Sequence, residues 1–346
     1  MRVRLEPEDD LFHEPDDDQN YNESRYYNFY DPDASPAGGF GGWVRMGNRP
    51  NEHYSEMTVC LYLPDGRVGF MFKRPHIEGH VAHDAGGLAF EVVSPYQEHH
   101  VTYHGDVCVL TNPREMADPG TAFKTNPREE CSIDLRLTAV SEPSGGEPIY
   151  EDGEEPPPGT AHGFAKGHTE QQMAIAGVVQ IGDEHFDLDR AFGLRDHSWG
   201  PRVWQSIWWY RWVTASFGGR LGIACTVRGH QDDPDLRNVN GWVFDLDRYG
   251  DGRVVKVRDM QLASDYDDEW FVRRSDVVIT TDDDHVYELH GEVSSSIPLR
   301  NRRDGMVTRL TEGLTRWTLD GRDGAGLSEY LDQVVDDVPV GTRVGL

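Results

Sequence analysis

Glycine and proline, 37 and 20 of the 346 residues, interrupt this chain so evenly that no apolar pattern of helical period persists beyond about three turns. What lies between the interruptions is short and either alternating or β-branched, which is the pattern of strands. The spacing predicts an all-β chain with few short helices. Its clearest hairpin is Met57-Thr-Val-Cys-Leu-Tyr-Leu63, the turn Pro64-Asp65-Gly66-Arg67 and the return Val68-Gly-Phe-Met-Phe72. Asp-Gly favours the tight turns that match strand twist. Further strands are expected over 88–93, 100–103, 133–139, 174–181, 221–227, 239–246, 277–280, 286–292 and 314–319. The stretch 141–160 is acidic and proline-rich and reads as a solvated loop inside a domain.

Two aromatic segments resemble each other. Ser24-Arg-Tyr-Tyr-Asn-Phe-Tyr30 and Ser206-Ile-Trp-Trp-Tyr-Arg-Trp212 share a serine, a gap of one, an aromatic pair and a closing aromatic, at an offset of 182 residues. Paired glycines and strand-like sequence follow each of them. A duplicated β-domain is the implication, with a boundary near residue 195 that divides the chain into 1–195 and 196–346.

The charge balance narrows the partners. With 33 Lys and Arg against 61 Asp and Glu the net charge is −28, which repels nucleic-acid backbones and anionic lipid headgroups alike. No apolar run approaches the ~20 residues that span a bilayer, and the charged N-terminus lacks the apolar core of a secretory signal. Cys60, Cys108, Cys131 and Cys225 lie far apart with no C-x-x-C pair, which argues against a zinc ribbon and a disulfide framework. A reduced, cytoplasmic chain is expected, with no nucleic-acid partner and no stable membrane insertion; the sequence does not set its oligomeric state.

Chemistry-bearing residues concentrate in Phe192-Gly-Leu-Arg-Asp-His-Ser-Trp-Gly-Pro-Arg-Val-Trp204. Asp196 and His197 are adjacent, so on a regular strand they face opposite sides, and both reach one cavity only if the chain bends, for which Gly200-Pro201 is suited. A carboxylic acid desolvated among tryptophans has its pKa raised and becomes a general acid. The competing structural reading makes Asp196 and the arginines a buried ion-pair latch between domains, with the tryptophans as core. In Gly167-His-Thr-Glu-Gln171, His168 and Glu170 share a strand face and offer an acid–base pair or a solvated polar strip. Glu52 or Glu56 adds a carboxylate ahead of the hairpin. His76, His80 and His83 have metal-like spacing, but without H-E-x-x-H they read as a surface loop, and no metal or organic cofactor is expected. A nucleophile elbow, a phosphate loop and a dinucleotide fingerprint are missing, which disfavours serine hydrolases, P-loop NTPases and Rossmann dehydrogenases.

At Arg195-Asp-His-Ser-Trp-Gly-Pro-Arg202 the chain resembles the superfamily of carotenoid 1,2-hydratase, kievitone hydratase and AttH-like proteins, and the likeness extends to Tyr26-Tyr-Asn-Phe-Tyr30, Gly47-Asn-Arg-Pro-Asn-Glu52 and Gly167-His-Thr-Glu-Gln171. The resemblance implies two tandem lipocalin-like, calycin-like antiparallel β-barrels. It also implies hydration of prenyl double bonds or cyclase and pericyclase chemistry on polyenes and terpenoids, without metal or organic cofactor. His197 and Trp199 match a His-x-Trp pair implicated in the carotenoid hydratases, whereas that site's further Tyr and Asp have no matched position here. Residues and resemblance together give one expectation: a hydrophobic small molecule held by Trp199, Trp204, Trp208, Trp209, Tyr27 and Phe29. Its alkene is protonated by a neutral Asp196 or Glu170, and the cation is captured by water that His197 or His168 activates, or by an internal group. The alternatives are a non-catalytic carrier of an apolar metabolite and, less favoured, a metal enzyme using His76, His80 and His83.

Overall fold

A computed structural model describes residues 2–36, 38–149, 165–233 and 236–343. The chain forms two compact units, one of 1–110 with 126–203 and one of 111–125 with 204–346. Each unit is a large antiparallel sheet that closes a ring of eight strands, a lipocalin-like barrel.

In the first unit the ring runs Tyr21–Ser35, Gly38–Arg49, Tyr54–Tyr62, Val68–Lys73, Glu98–Leu110, Arg128–Ala139, Gly167–Ile181 and Glu184–Pro201, and the last strand pairs with the first. The expected hairpin is present: Tyr62 pairs with Val68, the Leu63 amide donates to the Arg67 carbonyl, and Gly66 sits at φ 90°, a conformation that needs glycine. Alternation sets the faces. On Arg128–Ala139 the buried Cys131, Ile133, Leu135 and Leu137 alternate with exposed Asp134, Arg136 and Thr138, so the buried set lines the barrel. Tyr21–Phe29 and Tyr54–Tyr62 behave differently, being covered on both faces nearly throughout.

The second ring is a simple meander from Trp209–Ser216 to Arg322–Val335, closed by pairing of those two strands. Both aromatic segments therefore open a ring, although Ser206 lies in a short 3-10 turn and the strand begins only at Trp209. The expected strands lie within longer ones: 286–292 is part of Val286–Arg303, and the closing strand of the first unit runs unbroken through the Asp196 motif to Pro201. Residues 196–203, beyond the boundary read at 195, thus belong to the first unit. The loop expected at 141–160 contains a strand, Ser144–Ile149, that pairs with Gly167–Ile181; positions 150–164 lie outside the described residues. All four cysteines are buried and free. Among the described residues no helix is long and apolar enough to cross a membrane.

Glycines opposite tryptophans recur in both barrels. A Cβ on Gly167 would lie 2.1 Å from the Trp199 ring, and one on Gly229 2.2 Å from that of Trp209. The indole occupies the space a side chain would take, so these positions tolerate only glycine. Gly167→Ala is expected to displace Trp199 and lower stability by about 1–3 kcal/mol, read as a shift in the urea midpoint at unchanged slope. An unshifted midpoint would show that the indole has room to move.

Candidate functional site

On the inner face of the first barrel, register places Glu23, Arg25 and Tyr27 opposite Trp199, His197 and Arg195. Directly opposed residues share a face, and Tyr27 belongs to the apolar core, so all six point inward. Arg25 and Arg195 are each 1% exposed, and charges so deep need a partner. The segment ahead of the first strand supplies it. Asp10, wholly buried, accepts through Oδ1 from Arg195 and, at 3.2 Å, from Arg25. Its Oδ2 accepts the Tyr96 amide at 2.6 Å and lies 3.1 Å from His99 Nε2, and the Tyr27 hydroxyl is 2.9 Å from His99 Nδ1. Burial alone would raise the Asp10 carboxyl, but Arg195, His99 and Arg25 hold it well below the ordinary range. Burial lowers His99 to about 4, so its imidazole is neutral.

Next to this group stands Glu23, also 0% exposed. Its Oε1 is 3.1 Å from His13 Nδ1 and 2.9 Å from His197 Nε2; its Oε2 is 2.8 Å from His80 Nε2, 3.2 Å from the Tyr21 hydroxyl and 3.0 Å from the His13 amide. The His13 ring stacks on Trp199 at 3.9 Å. Burial, and then Arg25, push His197 down to about 3, so it is neutral.

A second constellation occupies the outer face of the same strands. His168 is cross-strand from Ser198, and Glu170 from Asp196, which in turn faces Tyr26. His168 Nε2 donates to Asp196 Oδ2 and lies 3.9 Å from Glu170 Oε1; its side chain is 37% exposed. Arg202 donates to Ser198 Oγ below them. Burial would raise the Asp196 carboxyl, yet the His168 imidazolium beside it, with Arg202, holds it below its ordinary value. Burial disfavours the charge on His168, but Asp196 and Glu170 outweigh it and raise the imidazole to about 9. Tyr26 stacks on Trp43 at 5.6 Å, and both rings are buried.

These positions correct several expectations. No bend brings Asp196 and His197 to one side; the strand keeps them on opposite faces, as its pleat requires. Asp196 is an ionised partner of His168, not a neutral acid among tryptophans. The buried ion pair is made by Arg195 with Asp10, inside the first unit. Trp199 reaches the inner cluster, while Tyr27 and Phe29 are core of the first barrel and Trp209 is core of the second. Trp204 and Trp208 are partly buried residues of the second unit. Glu52 pairs with Arg49 at 3.1 Å on a 3-10 turn. Of the loop histidines, His76 pairs with Glu78 at the surface, His80 reaches Glu23 and His83 donates to the Glu23 carbonyl at 3.0 Å.

Asp10, His13, Glu23, Arg25 and His99 are absent from the sequence-derived set. Period 2 carried a usable signal for two of them, since Glu23-x-Arg25-x-Tyr27 has the same polar alternation as Arg195-x-His197-x-Trp199. Among the described residues two groups of side chains have ligand atoms within 4.8 Å of one another and so could hold a cation: His13, Glu23 and His197, and His168, Glu170 and Asp196. In the second unit Arg211 pairs with Asp332 at 3.0 Å, and Asp332 also accepts the Gly341 amide at 2.7 Å.

Tandem eight-stranded barrels of this kind define an AttH-like fold. The structure is similar to a Nitrosomonas europaea protein assigned as AttH, at TM-score 0.60 and 12% identity over 95% of this chain and 97% of that one. It is also similar to CghA solved with Sch210972, at TM-score 0.52 and 12% identity over 92% and 90% of the two chains. The sequence profile of DUF7064, described as a domain of unknown function, matches residues 6–334, and the chain belongs to that family. No curated protein matches the sequence.

Two measurements probe the inner cluster. Asp10→Ala leaves two buried guanidinium groups without a counter-charge and is expected to cost about 3–5 kcal/mol in urea unfolding. Acid should also weaken the fold. The unfolded chain protonates His99 near pH 6.5 while the folded one resists until about 4, so stability falls across that interval by up to about 1.4 kcal/mol per pH unit. The depressed Asp10 extends the loss below pH ~4, because its stabilisation is present above its unfolded value and declines beneath it. Unfolding midpoints that stay level from pH 7 to 4.5 would refute the neutral, buried state of His99.

Proposed function

We propose that the protein is an enzyme that adds water or an internal hydroxyl across a carbon–carbon double bond of a hydrophobic, isoprenoid-like small molecule, with His168, Asp196 and Glu170 as its acid–base group and no organic cofactor. The observation that carries this reading is His168: a solvent-reaching imidazole set between two carboxylates, one of which, Asp196, is cross-strand from Tyr26. The fold is compatible with it, since CghA, a structural neighbour, is solved with Sch210972.

The ionisation pattern selects among double bonds. An isolated alkene demands a far stronger acid than an imidazolium of pKa about 9, and Asp196 is already ionised. An alkene conjugated to a carbonyl does not make that demand. There His168 donates a proton to the carbonyl oxygen while Glu170 takes one from the incoming water or hydroxyl, and the new C–O bond forms at the β carbon. The enol then collapses as Glu170 delivers its proton to the α carbon and the enol proton returns to His168. Asp196 keeps the imidazole oriented throughout and favours its charged form before the proton leaves and after it returns. Water as nucleophile gives a hydrate; an internal hydroxyl gives a ring.

The test is incubation with carbonyl-conjugated and isolated prenyl alkenes in ¹⁸O-labelled water, read by mass. Gain of one labelled water, or an isomer of unchanged mass, from a conjugated substrate is the expected result; a ligand retained unaltered makes the protein a carrier and overturns the proposal. His168→Gln and Asp196→Asn should each lower turnover by about 10²–10⁴-fold with the fold intact. Undiminished turnover in His168→Gln removes the cluster from the chemistry.

A further inference from the structure

The inner Glu23 cluster has no part in that reaction, and its composition calls for its own explanation. Three imidazoles meet one carboxylate there, from positions up to 174 residues away from it. As a hydrogen-bonded group it is oversubscribed: Glu23 faces three ring nitrogens, a phenol and a backbone amide, five donors for roughly four lone-pair sites. The excess lies on Oε2, which meets His80, Tyr21 and the His13 amide, whereas Oε1 meets the imidazoles of His13 and His197, which can turn lone pairs to a divalent cation in place of N–H groups.

We infer that His13 Nδ1, His197 Nε2 and Glu23 Oε1 form a binding site for a divalent transition metal ion, zinc being the best match to two imidazoles and a carboxylate oxygen. The contacts around Glu23 fit this role: His80 holds its other oxygen, so that the carboxylate presents one oxygen to the ion. His13 Nε2 lies 3.5 Å from Asp9 Oδ1, an ion-pair distance longer than a hydrogen bond. Coordination through Nε2 puts the His197 proton on Nδ1, which is buried without a hydrogen-bond partner, a cost that binding of the ion must exceed. The outer group suits a cation less: its one imidazole is already an ion-pair donor to Asp196.

The consequence is structural. His13 belongs to the segment before the first strand, whereas Glu23 and His197 stand on the paired first and last strands of the ring. An ion shared among them fastens that segment across the seam at which the barrel closes.

The experiment is to strip the full-length protein with chelator, titrate it with Zn²⁺ by calorimetry and with Co²⁺ by visible absorption, and record thermal unfolding with and without Zn²⁺. One equivalent of bound metal, tetrahedral cobalt bands and a rise in Tm of several degrees are expected. His13→Ala, on a partly exposed segment, should keep the fold yet weaken binding by at least ~100-fold and abolish the Tm increment. His76→Ala should retain both. Absence of stoichiometric binding in the stripped wild-type protein, or a Tm increment that survives in His13→Ala, overturns the inference.

Discussion

Two guanidinium groups inside a β-barrel set the terms for the first unit. Arg25 and Arg195 stand on the strands that meet at its seam, and neither is sustainable in that interior without the Asp10 carboxylate. Asp10 comes from outside the ring, so the segment preceding the first strand is as much a part of the barrel's interior as the strands are. His99 and the Tyr96 amide complete the shell around Asp10, and His99 hands the network on to Tyr27 and the apolar core. Glu23 and its histidines extend the same polar layer by one more pair of residues along the same two strands.

The outer face of those strands tells the opposite electrostatic story. Inside the barrel, burial keeps His99 and His197 neutral; outside, two carboxylates keep His168 charged. Adjacent residues in sequence, Asp196 and His197, thus live in separate chemical environments divided by one thickness of backbone. A motif that looks like a single constellation in one dimension is two sites back to back.

That division explains what the sequence could and could not reveal. The all-β class, the Asp65-Gly66 hairpin and the ring-opening role of both aromatic segments were legible because they depend on local turn chemistry and on period-2 patterning. His168 and Glu170 were legible as a pair because alternate residues of one strand share a face, whereas their cross-strand partner Asp196 was not. Nor was the inner cluster, since Asp10 and His13 reach it from a short 3-10 turn and the coil after it, and no periodicity encodes such a contact. The pKa of Asp196 was misjudged for a related reason: its environment is decided by His168, 28 positions away, and not by the tryptophans next to it in the chain.

The ring closures also set an order of events. The first strand of the first barrel finds its seam partner only when residues 184–201 exist, and the second barrel, after its own ring shuts, still draws the Gly341 amide onto Asp332. During synthesis the first 195 residues must therefore emerge before Arg25 and Arg195 come to share Asp10, and the 111–125 excursion must wait longer still, because the unit it belongs to begins again at 204. A chain so arranged has high contact order and spends its early life with unpaired strand edges exposed. Its charge of −28 is then more than a surface property of the finished protein, because like-charged nascent chains repel one another while those edges are still open.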